Sequence, residues 1–272
     1  MLLHHYTDSG GLLGIIESRK IRATNVWFMN DSVEATFGWG RIERFLDSKS
    51  PSSAKEKEVI RLAKAGLHGA SNKTDFPDSY IACFSEKGND LSQWRAYGRG
   101  RGFSIGFDSD ELNRLARAIG GSDLFPPLRK VAYGDAEQEY IIETNYGQRV
   151  ETQLANEPEV TTLAGLFDFM ATMLLPSLKH PAFEAEAEWR LQFFLDKSDP
   201  KVKFRDSAMG VTPFIEMSLC DPESSIITCM REVTIGPQRH PDEAFRAVSQ
   251  FLSRNGLEAV ELKPSKIPLR PN

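Results

Sequence analysis

The chain has 272 residues, 40% hydrophobic and 26% charged, with a formal net charge of −5 and a pI near 5.7. This composition supports a sizeable core and excludes wholesale disorder, and the length fits one large domain or two small ones. The acidic balance argues against a general nucleic-acid binder, which carries a basic excess. Three cysteines, Cys83, Cys220 and Cys229, without CxxC spacing give neither a disulfide framework nor a zinc ribbon, and read as reduced thiols of a cytosolic protein. The opening MLLHHYTDSGG lacks the basic and apolar regions of a signal peptide. No apolar run approaches the ~20 residues that span a bilayer, so the cytoplasm is the expected location.

In chain order, Leu2 to Tyr6 reads as a first strand. Thr7 to Ser9 offers helix-capping oxygens, and Leu12, Leu13, Ile15 and Ile16 form the apolar face of a helix ending near Arg19. Helices follow over 33–46 and 55–67, with DSKSPSSA (47–54) as a surface loop between them. Tyr80 to Ser85 is β-branched and aromatic and reads as a buried strand. Leu91 to Tyr97 reads as a helical turn and Phe103 to Phe107 as a strand, with Asp108 capping a helix over 109–118. The pattern then gives a strand at 130–133, helices over 135–156 and 160–178, and a strand over Glu188 to Leu195. Strands around 212–218, 226–235 and 258–262 surround a helix from 242 to 254 that ends at Gly256. Strand–helix alternation is too loose for a doubly wound sheet. The expectation is one α+β domain over residues 1–272, built on a mixed, mainly antiparallel sheet with inserted helices.

Four stretches carry chemistry. His5 and Thr7, two apart on a strand, share a face, and imidazole plus hydroxyl can grip a ribose or phosphate; they can equally be a structural histidine and a helix cap. Asn30 and Asp31 with Glu34 read as a capping box or, for Asn30, as a ligand contact. The densest segment runs from Cys83-Phe84-Ser85-Glu86 to Ser92-Gln93-Trp94-Arg95-Ala96-Tyr97-Gly98. There Arg95 can fork onto phosphate and Tyr97 can stack on a planar ring, while Trp94 reads as a core anchor. Arg99 and Arg101 follow between glycines, without the ending of a Walker loop. Glu184, Glu186 and Glu188 fall at spacing two, which on a strand places three like charges on one face. A carboxylate pair there could hold a ribose and stabilise an oxocarbenium-like transition state. The histidines at 4, 5, 68, 180 and 240 show no zinc spacing, so no metal is expected.

Together these stretches resemble the domain-of-unknown-function 2971 family. The opening is His5-Tyr6-Thr7 with Asn30-Asp31-x-x-Glu34. The centre is Cys83-Phe84-Ser85 with Leu91-Ser92-Gln93-Trp94-Arg95-x-Tyr97-Gly98. Phe183-x-x-Glu186-x-Glu188-Trp189-Arg190 follows, and then Ile235-Gly236-Pro237 and Ser265-x-Ile267-Pro268-x-Arg270. The order of His, Asn, Arg or Tyr and late Glu is also similar to that of DarT-type ADP-ribosyltransferases. That second resemblance implies an NAD-dependent ADP-ribosyltransferase or NAD glycohydrolase, a toxin or anti-phage effector acting on an unidentified protein or nucleic-acid acceptor. In it His5, Thr7, Asn30, Ser85 and Arg95 would bind NAD, Tyr97 would stack on nicotinamide, and Glu188 or Glu186 would stabilise the ribosyl cation. Two other readings stay open. One is a nucleic-acid-acting enzyme or binder using Arg95, Arg99, Arg101 and the Glu cluster; the other is a non-catalytic module that senses a nucleotide or binds a partner.

Overall fold

The computed structural model describes residues 1–29, 32–69, 78–98, 102–120, 126–148, 170–221 and 223–268. The chain opens with β1 (Leu2–Thr7), α1 (Ser9–Ser18) and β2 (Lys20–Asn25), followed by the helices α2 (Ser32–Ser48) and α3 (Ala54–Gly69). Next come β3 (Asp78–Ser85), α4 (Leu91–Tyr97), β4 (Phe103–Asp108), α5 (Ser109–Arg117), β5 (Leu128–Lys130) and α6 (Asp135–Ile142). The last part holds β6 (Glu188–Leu195), β7 (Lys203–Ser207), β8 (Gly210–Ser218), β9 (Met230–Ile235), α7 (Pro241–Arg254) and β10 (Glu261–Pro264). The fold is α+β. Its ten-stranded sheet has the main order β10-β9-β4-β1-β3-β2-β8-β7, and β6 pairs with both β3 and β5. Among the described strands only β9 and β10 run parallel; the other strand pairs are antiparallel.

Local chemistry sets the elements. Asp8 caps α1 by accepting from Gly11 N, and the helix ends at Arg19 in the left-handed region, φ 56°. Leu12, Ile15 and Ile16 then pack on the sheet, each burial contributing about 1.5–3 kcal/mol. Asp108 accepts from the amides of Asp110 and Glu111 and starts α5. Gly256, φ 72°, follows α7. A second core joins Ile42, Phe45, Val59 and Ala63 of α2 and α3 to Ile142, Leu174 and Leu178.

Several elements differ from the sequence pattern. β5 lies at 128–130, β9 starts at 230, and β10 is at 261–264. β2 and β7 were not anticipated, because KIRATN and KFRDS are short and rich in charge. α6 ends at Ile142 and runs into a wider turn over Glu143–Gly147. The expected helix over 160–178 is helical at 170–174 and then gives way to a 3₁₀ turn at Leu175–Ser177, where Pro176 offers no amide for an α-helical bond; residues 160–169, like 149–156, lie outside the described residues.

The fork in the sheet positions the site. One edge of β3 pairs with β6 from Asp78↔Leu195 to Ser85↔Glu188. The other edge is shared: β2 takes Tyr80 and Ile81, whereas β1 reaches only Ser85, opposite His4. Strands β1 and β2 diverge, and β3 residues 82–84 face the gap.

Candidate functional site

A cavity of about 150 Å³ fills this gap. Its lining includes His4, His5 and Tyr6 of β1, Arg22 and Thr24 of β2, residues 81–85 of β3, Gln93 and Tyr97 of α4, and Glu186 and Glu188. The volume is that of a single small ring rather than of a whole dinucleotide. A larger hollow of about 400 Å³ near Arg129 and Asp196 contains no imidazole and no buried carboxylate in its lining.

At one end, Glu188 opens β6 opposite Ser85. Both of its oxygens are engaged. Arg190 Nε donates to Oε1 at 2.8 Å, while Arg190 Nη2 at 3.0 Å and Lys179 Nζ at 2.9 Å donate to Oε2. These cations outweigh the cost of burial and hold the Glu188 carboxyl at about 2. Lys179 also donates to Glu186 Oε2 at 2.7 Å. Glu186 therefore has one engaged oxygen among the described residues and is partly exposed. The two carboxylates and two cations balance, which answers the like-charge problem that the sequence raised.

The three glutamates do not share a strand face. Pro181–Glu186 forms a 3₁₀ turn that His180 caps, and Ala187, φ 45°, reverses the chain before β6 begins. Pro181 favours that turn start, and the Ala187 carbonyl accepts from Glu86 N at 3.0 Å. Glu184 is left exposed. Ser85, buried, fixes the turn by donating to the Glu186 carbonyl at 2.7 Å.

His5 Nδ1 lies 2.9 Å from the Cys83 carbonyl. A carbonyl only accepts, so Nδ1 carries the proton. Burial lowers the His5 pKa below its ordinary 6.5, partly opposed by that carbonyl bond. The neutral ring thus keeps a lone pair on Nε2. Burial pushes the Cys83 thiol well above its usual range, with the Glu188 charge adding to the effect, so Cys83 is a protonated thiol. Tyr97 is 44% exposed; partial burial and then the nearby Glu186 and Glu188 charges raise its pKa.

The sequence-selected residues divide. His5, Ser85, Tyr97, Glu186 and Glu188 meet in the cavity. Thr7 does not line it and packs against Gly11 of α1. Arg95 is exposed on α4 and does not line it either. Asn30, Asp31, Arg99, Arg101 and Arg270 lie outside the described residues, as does the side chain of Glu34. Trp94 is the anchor expected: it is 4% exposed, meets Tyr6 edge-on and donates to Asn89 Oδ1 at 2.9 Å. The late motifs converge on it. Ser265 donates to the same Asn89 oxygen, and Gly236 donates its amide to the Gly102 carbonyl beside the Trp94 ring. Sequence reading missed Lys179, Arg22 and Thr24, whose roles arise only from tertiary placement.

The model of the DUF2971 family, a protein of unknown function, matches residues 93–191. Residues 93–191 belong to the DUF2971 family. No curated protein and no solved structure matches the chain. The DUF2971 stretch supplies Gln93, Tyr97, Lys179, Glu186, Glu188 and Arg190, while β1, β2 and β3 complete the cavity from outside it. Among the described residues, no helix is long and apolar enough to cross a membrane, and no group of three or more His, Cys, Asp or Glu is placed to hold a metal ion.

Proposed function

We propose that the chain cleaves the nicotinamide–ribose bond of NAD, as an ADP-ribosyltransferase or NAD glycohydrolase. The observation that carries this reading is the half-engaged Glu186 carboxylate lining the same ring-sized cavity as Tyr97 and the neutral His5 ring. The carbon–nitrogen bond breaks with its electron pair moving to the pyridinium nitrogen. Nicotinamide leaves neutral, and positive charge develops on the ribose. A fixed carboxylate stabilises that charge, Tyr97 covers the departing ring, and His5 Nε2 accepts a hydrogen bond from a ribose hydroxyl. Water or an acceptor nucleophile then attacks the ribose carbon and loses its proton.

In this reading Glu186 is the catalytic carboxylate. Glu188, enclosed by Arg190 and Lys179, is a positioning residue that aims Lys179 at Glu186. Those cations also argue against a magnesium site on the Glu cluster, because they already neutralise its charge. The test compares initial rates of NAD consumption for wild type, Glu186→Gln, Tyr97→Phe and Tyr97→Ala. The expected pattern is loss of kcat in Glu186→Gln, activity in Tyr97→Phe, and a raised KM in Tyr97→Ala. Wild-type rates in folded Glu186→Gln would overturn the assignment.

A further inference from the structure

The opposite end of the same cavity has no role in bond cleavage, yet it has an unusual charge arrangement. β2, β8 and β7 are consecutive antiparallel strands, and their register places Lys20, Arg22, Thr24, Phe214, Glu216, Lys203 and Arg205 on one face. Four cations there meet one carboxylate. Glu216 is already held by Lys203 at 2.8 Å and Lys20 at 3.2 Å, with Arg22 Nε only at 4.0 Å. The Arg22 and Arg205 guanidinium carbons lie 5.0 and 6.0 Å from the centre of the same Phe214 ring.

Arg205 donates to Thr24 Oγ1 at 3.1 Å, and its buried Nε has no hydrogen-bond partner. Among the described residues no carboxylate pairs with Arg205. Burial and the Arg22 charge both lower its pKa. Two guanidinium groups stacked on one ring, one with an unmet buried donor, repel each other unless an anion joins them. Arg22 and Thr24 line the cavity directly.

We propose that Arg22 and Arg205, with the Thr24 hydroxyl between Arg205 and the cavity, form a phosphate-binding site for a nucleotide ligand. The site deepens the NAD reading and rests on it for the ligand's identity. Along β3, Thr24 is opposite Ile81 on one edge and Glu188 is opposite Ser85 on the other; four residues at ~3.3 Å along the strand and two strand spacings of ~4.8 Å across it put the two ends roughly 16 Å apart. That separation suits a ligand whose anionic group lies beyond its reacting sugar. It also explains how a ring-sized cavity can serve a longer molecule: the diphosphate sits at the mouth, on the arginines.

The test measures binding of ADP, inorganic pyrophosphate and adenosine by calorimetry to wild type, Arg22→Gln, Arg205→Gln and, as a same-face control, Lys203→Gln. Wild type is expected to bind ADP and pyrophosphate, and each arginine variant to weaken both roughly ten-fold or more, as loss of a charge-assisted bond does. Adenosine should bind the arginine variants as it binds wild type, and Lys203→Gln should lose far less than either. Arg22 is exposed, so Arg22→Gln decides the matter even if Arg205→Gln fails to fold. Absence of ADP and pyrophosphate binding to wild type, or retention of both in Arg22→Gln, would overturn the proposal. Anion binding that the variants lose, without NAD cleavage by wild type, would leave this site standing and refute the NAD reading. NAD cleavage with an unchanged KM in Arg22→Gln would do the reverse.

Discussion

Lys179 is the residue on which the charge balance of the cavity depends, so Lys179→Met is the sharpest structural perturbation. Its ammonium bridges Glu186 at 2.7 Å and Glu188 at 2.9 Å and is 6% exposed at the side chain. Removing one partner of a buried ion pair costs about 3–5 kcal/mol. Glu186 is 26% exposed and Glu188 keeps Arg190, which places the expected loss at the low end, about 3 kcal/mol, or roughly 6–12 °C in Tm. The pH dependence follows from Glu188. Its carboxyl is held at about 2 against an ordinary 4.5, so the stability it contributes, about 3 kcal/mol, is present above pH ~4.5 and is lost as pH falls towards 2. Without Lys179 the Glu188 pKa rises, and the acid-unfolding midpoint of Lys179→Met moves to higher pH. Adding Glu186→Gln removes the unbalanced charge and should restore part of the loss at pH 7. Chemical denaturation at pH 7 and pH 4 gives all three quantities. A Lys179→Met protein as stable as wild type, or a double variant no better than the single, would refute the reasoning.

Gly236→Ala would bring a Cβ to 2.8 Å from the Gly102 carbonyl and 2.9 Å from the Trp94 ring. A loss of about 1–3 kcal/mol is expected in denaturant melts, and a neutral result would show that Trp94 does not fix this approach. Removing the α5 cap with Asp108→Ala should cost about 1 kcal/mol; an unchanged midpoint would contradict the bonds to Asp110 and Glu111. Cys83, with its thiol pushed up by burial and Glu188, should alkylate far more slowly than free cysteine at pH 7–8, read by mass spectrometry. Rapid modification of Cys83 in folded protein would contradict a protonated thiol.

Much of the framework was legible because it rests on local signals. Asp8 and Asp108 cap where capping chemistry predicts, and the apolar periods of Tyr80–Ser85 and Glu188–Leu195 give the two strands that build the site. Trp94 as an anchor followed from its size. The mixed, mostly antiparallel sheet followed from strands spread along the whole chain. The misses share a cause as well. β2 and β7 are short and rich in charge, so they gave no strand signal and the Arg22–Arg205 pair stayed invisible. The equal spacing of Glu184, Glu186 and Glu188 suggested one strand face, but Ala187 at positive φ placed only Glu188 in the sheet. Lys179 gave no signal, since its partners are set by the turn over 181–186. Arg95 looked like a phosphate ligand by residue type, yet the face of α4 that carries Gln93 and Trp94 is the one turned inward.

The most direct test of the central claim is nicotinamide release from NAD, followed by chromatography, for wild type and Glu186→Gln side by side, with and without DNA, RNA and cell lysate. The account predicts release by wild type in at least one condition and its loss in a Glu186→Gln protein that melts as a folded protein. No release by folded wild type in any condition would contradict it.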